Sequence, residues 1–179
     1  MKHFLVFPVV LALGSVAAAQ SNTARQAAAP GCGKVDVKFD IKTDRIQHPF
    51  VRPEPGKALI YFLQDDSYYL GVPRPSTRFG LDGNWVGATQ SNAYFYVSVD
   101  PGEHHLCAEW QSFVGLTRGP KSGASHFTAE AGSAYFFLVR DHFEQNHGSA
   151  HMRLSPVDSD EGQLLMSKFG FSTSRAKGK

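Results

Sequence analysis

Turn-forming pairs divide this chain into short apolar segments at intervals of roughly 8 to 12 residues, a spacing that suits many short strands and leaves little room for helices. Leu81-Asp82-Gly83-Asn84 lies between Arg78-Phe79 and Trp85-Val86, and Asp-Gly tolerates the positive φ angles of a tight hairpin turn. Asp100-Pro101-Gly102-Glu103 has proline to fix φ at its second position and glycine available for positive φ at its third. Ala131-Gly132 separates strand-like His126 to Glu130 from the apolar run Ala134 to Val139. Such punctuation predicts a mainly β fold, an antiparallel β-sandwich or small barrel.

Val35, Val37, Phe39 and Ile41 alternate with Asp36, Lys38, Asp40 and Lys42, the two-residue period of a strand with one dry face. A proline-containing connector from His48 to Gly56 leads to Ala58–Leu63, a continuous apolar run short enough for a buried strand. The Asp-Gly hairpin sets Phe79 opposite Val86 and Gly80 opposite Trp85, with the indole over the bare glycine backbone. In Ala93–Val99, Phe95, Val97 and Val99 share one face and Tyr94, Tyr96 and Ser98 the other. The chain returns through His105 to Trp110, crosses a Gly-, Pro- and Ser-rich loop from Gly115 to Ser125, and has one further short strand at Met152 and Leu154. Asp158 and Glu161 resemble a capping box, and Leu164, Leu165 and Phe169 form an apolar stripe, so a short C-terminal helix is expected near 158–168.

The N-terminus carries a second message. Lys2 and His3 precede the apolar run Phe4 to Val16, and Ala17-Ala18-Ala19 supplies the small residues of a signal-peptidase site. At about 13 residues the run falls short of the 20 or so needed to span a bilayer. The expected organisation is a signal peptide at 1–19, a flexible lead-in at 20–31, one β-sandwich domain at 32–169 and a basic flexible tail at 170–179. Periplasmic or secreted localisation follows. Loss of the signal takes one lysine and no acid, lowering the formal charge from +2 to +1, which gives no electrostatic reason to bind nucleic acid.

Cys32 and Cys107 are the two cysteines, and an even count in an oxidising compartment favours a disulfide between them. Chain-entropy reasoning puts the stabilisation from closing so long a loop at about 4.5 kcal/mol as an upper value. There is no Cys-x-x-Cys, so redox and zinc-knuckle roles lack their motif.

The succession Gly56-Lys57-Ala58-Leu59-Ile60-Tyr61, then Leu81-Asp82-Gly83 with Val86-Gly87, then Val99-Asp100-Pro101-Gly102-Glu103-His104, then Ala131-Gly132 before Tyr135-Phe136 resembles a bacterial domain-of-unknown-function family of small secreted proteins and lipoproteins. The likeness covers roughly residues 56–166 and implies a β-sandwich. The Asp-Gly and Pro-Gly-His elements are also similar to PEGA-type modules, which implies a transthyretin-like arrangement. Neither likeness supplies catalytic residues. The chain lacks the lipidation cysteine of the lipoprotein members, so no lipid anchor is expected.

Catalytic motifs are missing from the sequence. Gly83-Asn84-Trp85-Val86-Gly87 has tryptophan where a nucleophile elbow needs serine, and Gly115 to Ser122 has the wrong spacing for a phosphate loop. The acid pairs Asp65-Asp66 and Asp158-Asp160 have the chemistry of glycoside hydrolysis, but the first ends a strand and Asp158 is better used as a cap. Of the seven histidines beyond residue 19, adjacent His104 and His105 point to opposite faces, and His142, His147 and His151 span a loop. Neither cofactor nor dedicated metal site is therefore expected. Tyr94 and Tyr96 form the candidate ligand face, for a sugar or an envelope protein, unless another element covers them. The expected function is a non-enzymatic binding or structural accessory module of the bacterial envelope; the alternatives are a glycan-active hydrolase or inhibitor and a periplasmic metal-binding protein.

Overall fold

The computed structural model describes residues 31–34, 36–69, 73–112, 121–144 and 149–177. The signal at 1–19, the lead-in up to residue 30, Val35, most of the 115–125 loop and His147 lie outside the described residues. The chain runs β1 (Phe39–Asp44), β2 (Ala58–Asp65), β3 (Ser76–Leu81), β4 (Asn84–Gln90), β5 (Ala93–Val99), β6 (Gly102–Trp110), β7 (Ser122–Ala129), β8 (Ala134–Glu144), β9 (Ser149–Val157), α1 (Ser159–Met166) and β10 (Gly170–Ala176). Among the described residues it is mainly β, with two sheets and one short C-terminal helix. One sheet has the order β1-β10-β5-β2-β8-β9 and the other β4-β3-β6-β7.

Two pairings depart from the antiparallel expectation: β2 with β8 and β5 with β10 are parallel. Parallel neighbours need long connections. Both have them: β3 to β7 intervene between β2 and β8, and β6 to α1 intervene between β5 and β10.

The main core lies between the sheets, where Ile60, Phe62, Phe79, Phe95, Leu106, Phe137 and Leu154 meet. Leu59, Tyr61 and Leu63 alternate with the inward residues of β2 and are buried on the outer face, under α1 and the 48–51 connector. Burial on both faces is why β2 reads as an unbroken apolar run. The connector is tied down by tyrosines: Tyr61 Oη donates to the Val51 carbonyl (2.8 Å) and accepts from the Val51 amide (2.7 Å).

Asp158 caps α1 by accepting from the Glu161 amide at 2.8 Å, but the Glu161 carboxylate pairs with Arg140, so the reciprocal half of the expected box is not formed. The apolar stripe also differs. Leu164 is 56% exposed, while Gly162 and Met166, one helical turn apart, face the sheet. Gly162 lies so close to β8 that a Cβ there would fall 2.4 Å from Phe136 Cδ1.

Residues 170–176 are not a tail but strand β10, inserted between β1 and β5. Its serines hid it. Ser172 Oγ donates to the Ala88 carbonyl (2.9 Å) and Ser174 Oγ accepts from the Ala88 amide (3.0 Å), so hydroxyls stand at positions where the pattern calls for apolar groups and bridge to β4. Lys177 follows, paired with Asp40 at 3.0 Å.

Strand β1 starts at Phe39, so Val37 and Lys38 of the alternating segment precede it. Residues 31–34 instead cross the four-stranded sheet, where Cys32 is bonded to Cys107. A bulge between Phe79 and Gly80 sets Phe79 opposite Gly87, correcting the predicted Phe79–Val86 pairing, while Gly80 faces Trp85 as expected. The Gly80 backbone is covered by Gly31, whose carbonyl oxygen would sit 2.3 Å from a Cβ at that position. The indole of Trp85 rests against Gly33, donates to the Lys34 carbonyl at 2.7 Å and lies 4.2 Å beneath the Arg78 guanidinium.

Candidate functional site

The inward stripe of β2, Ile60-Phe62, continues as Gln64 and then Asp66; that of β8, Phe137-Val139, continues as Asp141; that of β6, Leu106-Ala108, ends in Trp110. Because β2 and β8 run parallel in register, their polar continuations meet at one end of the sandwich. The apolar core thus closes in a buried polar network.

Gln64 is its hub. Its Nε2 group donates to Asp66 Oδ1 (2.9 Å), Asp141 Oδ2 (3.2 Å) and the Pro75 carbonyl (3.2 Å), and its Oε1 accepts from Thr89 Oγ1 at 2.6 Å. Trp110 Nε1 donates to Asp141 Oδ1 at 3.0 Å, and the Asp66 amide donates to Asn92 Oδ1 at 2.9 Å. Tyr69 packs edge-on against Trp110 with ring centroids 5.9 Å apart.

Asp66 and Asp141 are 0% and 1% exposed, and one nitrogen, Gln64 Nε2, donates to both. Two buried carboxylates this close to one donor disfavour each other's charge. Burial pushes both groups up; for Asp141 the charge of Asp66 adds to the effect and carries it to about 8, while the Gln64 amide and Arg74 hold Asp66 lower, at about 6. The pair therefore carries a proton at neutral pH, a property of the dyad more than of either residue.

Asp65 and Asp66 part company at the strand end. Asp66 turns into the network and Asp65 Oδ1 accepts from the Ser67 amide at 2.9 Å, so the tandem acids of the sequence have different partners. Asp158 serves as a helix cap. The partner of Asp66 lies 75 residues on, on a strand whose apolar run gave no hint of it. An acid closing the inward stripe of a buried strand was the available signal.

The Tyr94–Tyr96 ligand face is corrected. Tyr94 is 0% exposed, with its hydroxyl donating to the Pro49 carbonyl at 3.1 Å, and half-buried Tyr96 lies between Tyr61 and Phe171 at 5.8 Å from each ring. The 48–51 connector and α1 cover them, since the central strands must bury both faces. Phe50 is the accessible ring on that side, 53% exposed and stacked on Tyr61, beside a shallow hollow of about 180 Å³ lined by His48, Phe50, Gln163, Met166 and Ser167.

Cys32 and Cys107 are brought together as expected, with Cα atoms 5.1 Å apart. His104 points inward and fastens two turns, its Nδ1 2.6 Å from Asp82 Oδ2 and its Nε2 2.8 Å from the Asp100 carbonyl.

Residues 54–150 match the family described as a protein of unknown function, DUF2846. The chain belongs to this family. No curated protein and no solved structure matches it. The DUF2846 match runs from the turn before β2 into β9, so it contains Gln64, Asp66, Thr89, Trp110 and Asp141 together with Cys107, and leaves Cys32, β1, α1 and β10 outside. The buried network belongs wholly to the segment that defines the family.

Proposed function

We propose that this DUF2846 protein is exported and acts as a non-enzymatic binding or structural accessory module of the bacterial cell envelope. The Cys32–Cys107 bond carries this reading, because such bonds persist outside the reducing cytoplasm. The signal-like pattern from Lys2 to Ala19 supports export independently. The non-enzymatic part rests on the enclosure of Asp66 and Asp141: both are buried, Gln64 and Trp110 donate to them, and a substrate would have to displace the core to reach them. No helix among the described residues is long and apolar enough to cross a membrane.

The partner is an envelope protein or glycan, and the Phe50 hollow beside α1 is the surface best suited to it. Immobilised mature protein should retain a specific component from an envelope extract, and Phe50→Ala should reduce that retention without altering the melting temperature. Equal retention by a Phe50→Ala column would remove this surface from the account, and an absence of any specific component would contradict the binding role.

A further inference from the structure

Spacing along the chain separates the histidines, but strand register does not. Antiparallel pairing of β6 with β7 sets His105 directly opposite His126, and their ring centroids are 6.3 Å apart. Glu103, two residues before His105 and so on the same face, places its Oε1 3.7 Å from His105 Nε2. That gap is too long for a hydrogen bond. Zinc–nitrogen and zinc–oxygen bonds of about 2.1 Å span up to about 4.2 Å between two ligands, so one ion fits between these atoms.

We propose that His105, His126 and Glu103 form a surface site for one divalent transition-metal ion of the zinc type, with water completing the coordination. Neutral imidazoles and a carboxylate are the donors such an ion takes, and three protein ligands leave a position open. The Asp82 carboxylate, which accepts from the His105 amide at 2.8 Å, adds negative charge beside the site. Among the described residues no three donors are already gathered on one point. The side chains of His105 and Glu103 are 39% and 65% exposed, and His126 is exposed, so rotation of the side chains on a fixed backbone register is enough to close the site. The ion is accordingly held loosely.

A second register pair, His142 opposite His151, makes the comparison instructive. On the same face Arg140 and Arg153 are paired two positions to one side, with Arg140 bound to Glu161, and Glu144 and Ser149 are paired two positions to the other. The site does not depend on the compartment in which the protein resides.

Zinc chloride is titrated into tag-free mature protein, followed by calorimetry and by the imidazole resonances in NMR spectra. One ion per chain is expected, with shifts at His105 and His126 and none at His142 and His151. His105→Ala and His126→Ala should each weaken binding at least about tenfold, as loss of a ligand or its support does, and Glu103→Gln by less. All three positions are surface sites, and an unchanged melting temperature in the absence of zinc confirms that the variants fold. No binding at millimolar zinc, undiminished binding in both histidine variants, or binding abolished instead by His142→Ala with His151→Ala would overturn the assignment.

Discussion

Asp66 and Asp141 stand at the ends of two parallel neighbouring strands and share one donor, Gln64 Nε2, at 2.9 and 3.2 Å. The arrangement closes the core with a proton-holding pair where apolar packing would have left the strand ends unspecified. It also makes stability depend on pH.

Both carboxyls titrate higher in the folded protein than in the unfolded chain, so folding takes up a proton. That contribution is fully present below about pH 4 and is lost as pH rises through about 6 and then about 8, with a slope of at most about 1.4 kcal/mol per pH unit for each proton. Asp66→Asn removes one titrating group and the charge that helps raise Asp141. Denaturant melts between pH 5 and 9 should show wild-type stability declining more steeply than that of Asp66→Asn. Parallel curves would mean that the pair does not hold a proton. His104, also raised by its acceptors Asp100 and Asp82 although burial opposes the rise, loses its contribution with rising pH in both proteins and cancels in the comparison.

Tyr94→Ser should destabilise the protein by roughly 3–5 kcal/mol, as truncation of a large buried ring does. Half-buried Tyr96→Ser should cost less. Chemical denaturation of the two variants checks the order; losses under about 0.5 kcal/mol in both would restore the tyrosines to the surface.

Gly162→Ala should destabilise, although alanine in an exposed helix gains about 1 kcal/mol over glycine. The added methyl would meet Phe136 and lift α1 from β8, an overpacking cost of roughly 1–3 kcal/mol. A rise in melting temperature would show that the helix is not seated on the sheet.

Where side-chain pattern and burial agreed, the sequence was legible. Buried β2, the two faces of β5, the Gly80–Trp85 pairing and the Asp158 cap all follow from local periodicity or turn chemistry. Pattern failed where long-range contacts replaced local ones. Ser172 and Ser174 are strand residues because Ala88 satisfies them from the other sheet, the Phe79–Gly80 bulge is marked by no turn residue, and parallel pairing leaves no trace in periodicity. Asp66 with Asp141, and His105 with His126, are partners only once the register is known. Physical chemistry identified the donors and acids; topology decided which of them meet.

Export with a formed Cys32–Cys107 bond is the centre of the account, and peptide mapping of the native protein tests it most directly. Protein expressed with its own N-terminus, recovered from the periplasmic or secreted fraction and digested without reductant, should begin near Gln20 and yield one peptide pair linked through Cys32 and Cys107. Replacing both cysteines with serine should lower stability by up to about 4.5 kcal/mol, the loop-closure value for a sequence separation of 75. Protein that stays in the cytoplasm with residues 1–19 intact and two alkylatable thiols would contradict the proposal.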